Sequence, residues 1–160
     1  MAISQAAVLT GHVVGSMIQT MASIAVVVGV AMLVGFRPTA GVLEWIGAIG
    51  LLVIFSFALI WLAVALGLQA KSVETASNTP MFLTLLPFLG SGFVPTDSMP
   101  EGLRWFAEYQ PFTPVIETLR GLLMGTSVAD HAVIAVVWSV GIGLASYVWA
   151  RRIFNRPRVR

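Results

Sequence analysis

GFVPTDSMPEGLRWFAEYQPFTPVIETLRGLLMG, residues 92–125, divides this chain. It follows one long apolar run, precedes another, and gathers Asp97, Glu101, Arg104, Glu108, Glu117 and Arg120 in a sequence with little charge elsewhere. Two helix starts lie inside it. Ser98 offers an N-cap hydroxyl, Pro100 falls in the first turn, and the Glu101 carboxylate can reach back to the free amides. Thr113-Pro114 repeats the cap and the proline, and Gly121 or Gly125 can end the second helix. Met99, Leu103, Phe106 and Gln110 recur at helical spacing on one side of the first helix, with Glu101, Arg104 and Glu108 opposite. The second sets Val115, Ile116, Leu119, Leu122 and Leu123 against Glu117 and Arg120, which are one turn apart and placed to pair. Such a pair of short helices lies along an apolar surface.

The surroundings identify that surface as lipid. Of the 160 residues, 58% are hydrophobic and only 10% charged, far below the quarter usual for a soluble domain. A charge at the bilayer centre costs at least about 2.5 kcal/mol, so charge-free windows mark the spans. There are four of them: Val13 to Phe36, Trp45 to Ala70, Thr75 to Thr96 and Ala132 to Ala150. Each approaches or exceeds the ~20 residues needed to cross about 30 Å of hydrocarbon. The expected fold is therefore an all-α integral membrane protein with spans at about 13–36, 46–69, 75–95 and 132–150, two short amphipathic external helices within a cap at 97–125, and a basic tail at 151–160. The first window lacks the basic start and short core of a secretory signal, so it is read as a retained helix. Asn78, Thr79, Pro80 and Pro87 interrupt the third, where neighbouring protein can tolerate a kink.

Lys and Arg set the orientation. With the arginine tail in the cytoplasm, six basic residues lie inside and three outside, so both termini are expected to be cytoplasmic. The net charge of +2 comes from that tail and implies no nucleic acid; the tail is an anchor to anionic lipid. There is no cysteine, hence no disulfide framework or thiol nucleophile. No phosphate loop of the Gly-x-x-x-x-Gly-Lys-Ser/Thr form occurs, so the chain is not expected to hydrolyse ATP by that route or to be an enzyme. His12 and His131 fall on opposite faces of the bilayer and cannot share a metal.

Ser91-Gly92-Phe93-Val94-Pro95, Met99-Pro100, Leu103-Arg104, Pro111-Phe112-Thr113, Glu117, Leu119-Arg120 and Leu122-Leu123-Met124-Gly125 together resemble the external segment before the last helix of type-2 ATP-binding-cassette (ABC) exporter permeases, the daunorubicin-resistance-type drug exporters among them. The Ile3-Ser4 to Leu9-Thr10-Gly11 pattern is similar to the family sequence that follows a coupling segment facing the ATPase, which makes Ser4 and Gln5 coupling candidates. Members usually have two further helices before that point. The resemblance thus covers the later part of a full permease, and those leading helices are expected to be missing here. It implies a bacterial cell-membrane permease subunit that exports a hydrophobic or amphipathic compound, such as a drug, a lipid or a lipid-linked product. ATP and Mg would be bound by a separate cytoplasmic ABC ATPase, with no cofactor held by this chain. A second permease chain, identical or related, would complete the path. The alternative is a truncated or accessory structural membrane protein that transports nothing by itself.

Among individual residues, Phe112, Glu117 and Arg120 are candidates for an external gate, with a solvated helix pair the plainer reading of the two charges. Ser16, Gln19, Thr20 and Ser23 share one face of the first span, either as a substrate-lining stripe or as helix packing. Gly11 and Gly15, Ala25 and Gly29, and Gly141 and Ala145 place small residues four apart and predict close helix approach. Phe55, Phe57, Trp61, Phe82, Phe88 and Phe93 are lipid-facing or mutually packed, while Trp45, Trp105, Tyr109, Tyr147 and Trp149 suit the interfaces.

Overall fold

The computed structural model describes residues 5–70, 72, 75, 78, 81–90, 92 and 98–154, with the backbone alone for 5–8, 82, 89, 103 and 154. Its helices are α1 (Gln5–Val34), α2 (Val42–Gln69), α3 (Met81–Leu85), α4 (Glu101–Tyr109), α5 (Phe112–Met124) and α6 (Ala129–Phe154), with a 3-10 turn at Leu86–Leu89. No strand occurs among the described residues. The all-helical expectation is met.

Three stretches are long and apolar enough to cross a membrane: Leu9–Val34, Val42–Gln69 and Ala129–Ile153. They match the first, second and fourth charge-free windows. Of the third window, the described part is the five-residue α3 and the 3-10 turn that contains Pro87. Proline cannot donate the i→i−4 bond, so the chain tightens there instead of continuing as one long helix. The remainder of that window, Phe93 included, lies almost wholly outside the described residues, as do Ser4, Lys71, Asp97 and the end of the arginine tail.

The ends of the long helices follow local chemistry. α1 stops where Gly35 takes φ +113°, a left-handed conformation that glycine adopts without a Cβ penalty. The amides of Gly35 and Phe36 then donate back to Met32 O and Ala31 O, at 3.3 and 2.9 Å. Glu44 in the first turn of α2, Asp130 in that of α6, and Arg151 with Arg152 in the last turn of α6 all complement the helix dipoles.

Packing gives the topology. Ala58 of α2 stands 3.5 Å from where a Cβ on Gly143 would lie. Further along, the Trp61 and Tyr147 rings meet edge to face at 5.0 Å, and Ala65 and Ala150 share one buried cluster. At the other end, Leu51 shares a cluster with Ala135. Residue numbers rise together on both helices, so α2 and α6 run parallel. Between Gln69 and Ala129 the chain must therefore return from the Arg151 end of the bundle to the Gly35–Gly41 end.

α1 runs antiparallel to α2 and touches it lightly. Val13 is buried in the cluster around Trp61 and Ala65. On either side of this contact the two helices part into grooves of about 470 and 610 Å³, the first near Ser16 and Val64, the second near Met21 and Ile49. The predicted small-residue contacts are corrected here. A Cβ at Gly11, Gly15, Gly29 or Gly141 would meet nothing within 4 Å, and the close approach falls on Gly143. The i, i+4 spacing marks a face that permits contact; which turn makes it depends on the partner, and Ala58 supplies that partner at Gly143.

Because the seam has space for a methyl group and little more, Gly143→Ala should leave the thermal midpoint of the detergent-extracted protein nearly unchanged. Gly143→Leu should lower stability by about 1–3 kcal/mol, the range for overpacked cores. Equal midpoints for the two variants would show that the helices do not meet there.

Candidate functional site

The charged segment folds as a helical hairpin, α4 and α5, joined at Gln110 and Pro111. Its placement follows from α5. Phe112, at the start of that helix, packs its ring edge to face on Phe55 at 5.2 Å, in a cluster with Leu51, Val115 and Ala135. Phe55 lies thirteen residues along α2, roughly 20 Å from its start at 1.5 Å per residue. The far end of α5 is level with the α1–α2 loop, where the Thr39 amide donates to Leu123 O at 3.0 Å. α5 therefore lies alongside the first half of α2, with the hairpin apex about midway down the bundle. Leu122 rests beside Gly47, 3.6 Å from where a Cβ would be.

Both expected hydroxyl caps are corrected. α4 starts at Glu101 with extended Pro100 before it, and the Arg104 amide bonds Pro100 O at 2.8 Å, so Ser98 lies too far upstream to cap. α5 starts at Phe112 with Pro111 already at φ −64°, ψ −24°, which carries Thr113 inside the first turn; neither helix has a side-chain cap bond. Pro111 and Pro114 bring no N–H to a buried end that offers few acceptors. The C-terminal expectation holds at Gly125. It takes φ +73°, and its amide and that of Thr126 both donate to Gly121 O.

The buried side of α4 is centred on Ala107 and Gln110; Phe106, with Trp105 and Tyr109, is exposed. That rotates the predicted apolar face, because small Ala107 lets α4 approach more closely than Phe106 would. On α5 the predicted apolar face is the packed one, with Val115 buried and Ile116 and Leu119 against the same cluster.

Of the gate candidates, Phe112 is buried at the apex. Glu117 and Arg120 form the expected i, i+3 pair, Nη1 to Oε1 2.9 Å, with side chains 28% and 49% exposed. Such a pair contributes little to stability, about 0.2–1 kcal/mol. Arg104 and Glu108 pair likewise at 2.7 Å on α4. The four-residue stripe on α1 flanks the α2 contact. Ser16 and Thr20 are half-buried, Gln19 and Ser23 exposed, and Ser16 lines the smaller groove with Leu9, His12, Ile60 and Val64. The structure does not bring the stripe and the hairpin charges into one site. Gln5 opens α1 as backbone only, and no cluster of three potential metal ligands occurs among the described residues.

The feature that sequence reading passed over is Gln110. It is 5% exposed, and neither its Oε1 nor its Nε2 has a hydrogen-bond partner among the described residues. By contrast, buried Thr118 and Ser139 donate to Pro114 O and Ala135 O of their own helices, each at 2.6 Å. A glutamine in register with Met99 and Phe106 was the available signal.

Residues 1–124 match the family model described as ABC-2 type transporter. The chain belongs to that family. It is 30% identical over 141 residues, 88% of its length and 47% of the relative's, to the daunorubicin resistance ABC transporter permease protein DrrB1 of Streptomyces coeruleorubidus. It is 24% identical over 140 residues, 88% of its own length and 51% of the relative's, to the probable doxorubicin resistance ABC transporter permease protein DrrC of Mycobacterium tuberculosis (strain ATCC 25618 / H37Rv). The chain thus spans about half the length of these curated relatives. No solved structure matches it. With its apolar helices, family membership makes this a multi-pass membrane protein, as expected from the charge-free windows.

If the Phe112 ring fixes the apex, Phe112→Ala should destabilise the extracted protein by about 3–5 kcal/mol. In a double-mutant cycle with Phe55→Ala, the coupling should be about 0.5–1.5 kcal/mol. Additive thermal shifts would show that the two rings contribute independently.

Proposed function

We propose that this chain is a membrane-spanning permease subunit of an ATP-driven ABC exporter, with the α4–α5 hairpin as the movable closure of the outward path. The observation that carries this reading is the seating of α5 against the first half of α2, fastened by backbone hydrogen bonding at its Leu123 end and by side-chain packing at its Phe112 end. Family membership and relatives named for daunorubicin and doxorubicin resistance support a hydrophobic or amphipathic cargo, drug or lipid-like.

In this reading four crossings place both termini in the cytoplasm, the fourth being the return between α2 and α6 through residues 75–95. Six basic residues inside against three outside support that orientation. The hairpin then faces outward from the bacterial cell membrane. Phe112 seats it, and the Glu117–Arg120 pair stiffens α5 near the mouth. Ser16, Gln19, Thr20 and Ser23 face the cargo's path, and the Ser4–Gln5 end meets the cytoplasmic ATPase, where ATP and Mg are bound. A second permease chain, identical or related, closes the path. An accessory structural role is the outcome if movement of the hairpin proves irrelevant to export.

The absence of cysteine provides a clean test. Gly47→Cys with Leu122→Cys, in the full assembly, should cross-link under mild oxidant, stop export, and recover when reduced. Export that continues with the cross-link formed rejects the moving closure. Arg120→Ala should lower export severalfold at unchanged protein level, and full activity would remove the charge pair from the mechanism.

A further inference from the structure

The carboxamide at the hairpin apex differs from the buried hydroxyls, and it leaves two polar atoms unpaired among the described residues where the buried Trp61 indole leaves one. Thr118 and Ser139 are satisfied within their own helices, whereas Gln110 offers one acceptor and two donors to surroundings that return none among the described residues. A buried amide without partners is costly to keep, and in a native fold such a group calls for a physical reason.

Gly90 supplies part of it. That residue, buried at the end of the 3-10 turn, lies against the amide: an added Cβ would collide with Gln110 Nε2 and stand 2.8 Å from Thr113 Oγ1. The apex is therefore shaped to admit the glutamine side chain without pairing it. A leucine or methionine there would fill the same space and lose no hydrogen bonds.

We propose that Gln110 is the polar spring of the closure: unpaired while the hairpin is seated on Phe55 and Gly90, and hydrated when the apex lifts toward the outward path. The seated form is thereby held only slightly below the lifted one. This inference rests on the closure reading above and adds the residue that sets its equilibrium.

The test uses the full assembly carrying Val115→Cys, since Val115 is buried in the seated cluster and the chain has no cysteine of its own. A membrane-impermeant maleimide is added from outside during turnover, and labelling of this chain is followed with time. Gln110→Met should slow labelling by about fivefold or more and raise the thermal midpoint of the extracted assembly. Gly90→Ala should speed labelling by displacing the amide, and adding Gln110→Ala to it should bring the rate back to the original or below, because it both makes room for the methyl group and removes the amide; a double variant that labels as fast as Gly90→Ala overturns the spring. Unchanged or faster labelling with Gln110→Met overturns the spring alone. So does failure of that variant to accumulate, because the inference makes it the more stable form. No labelling of the Val115→Cys assembly in any state overturns the closure and the spring together.

Discussion

The parallel seam between α2 and α6 is the contact on which the rest is hung. Lipid tails are as apolar as the side chains they would replace, so helices in a membrane are held together by close packing more than by any gain from leaving the solvent. Ala58 against Gly143 and Ala65 near Ala150 provide that closeness, and Trp61 and Tyr147 lock its depth. Two parallel helices cannot follow each other directly. The chain leaving Gln69 has to travel back along the bundle before Ala129 can begin, and the hairpin occupies the last part of that return. The depth of Phe112 is thus a consequence of the seam, since its cluster uses Leu51 from one helix and Ala135 from the other.

α1 stands in a different relation to the core. Val13 is the one buried side chain among those described in α1, while α2 and α6 carry buried residues along much of their length. Its contact with α2 narrows to the region of Val13 and opens into a groove on each side. A helix of such hydropathy in water would demand cover, but in lipid its open faces are already solvated. The stripe from Ser16 to Ser23 is the exception. Its exposed members need protein or water beside them, since lipid offers their polar groups no partners.

Much of the fold was legible because charge is so expensive within a bilayer that its absence marks three long helices to within a few residues. The Glu117–Arg120 pair was legible too, since i, i+3 spacing brings oppositely charged side chains together with no help from tertiary structure. What could not be read was anything decided by a neighbour. Gly143 makes the close contact and Gly141 does not, because only the former meets Ala58. Phe106 ceded the packed face to Ala107, since the distance to the neighbouring surface is a property of the pair. Ser98 and Thr113 have the right chemistry for caps, yet prolines at 100 and 111 set helix starts that leave them out of position. Gln110 was counted on the apolar face by its register, correctly. That its amide atoms find no partner among the described residues depends on what packs around them, Gly90 included.

The hairpin is asymmetric in how it is held. At the Leu123 end, a backbone hydrogen bond to Thr39, the left-handed Gly125 and the return bonds to Gly121 commit main-chain groups to a fixed geometry. At the apex, Pro111 and Pro114 have no amide to commit, neither helix start has a side-chain cap bond, and Phe112 packs into its apolar cluster. Packing contacts lose their attraction within an ångström or so of separation. Backbone bonds in apolar surroundings must instead be exchanged for others, so they resist being broken one at a time. In the closure proposed above, such a segment would pivot at its Leu123 end and move most at its apex. That apex lies about midway along the bundle, beside Phe55 of α2, so the proposed movement would open the packing between the hairpin and the seam and not only its outer rim.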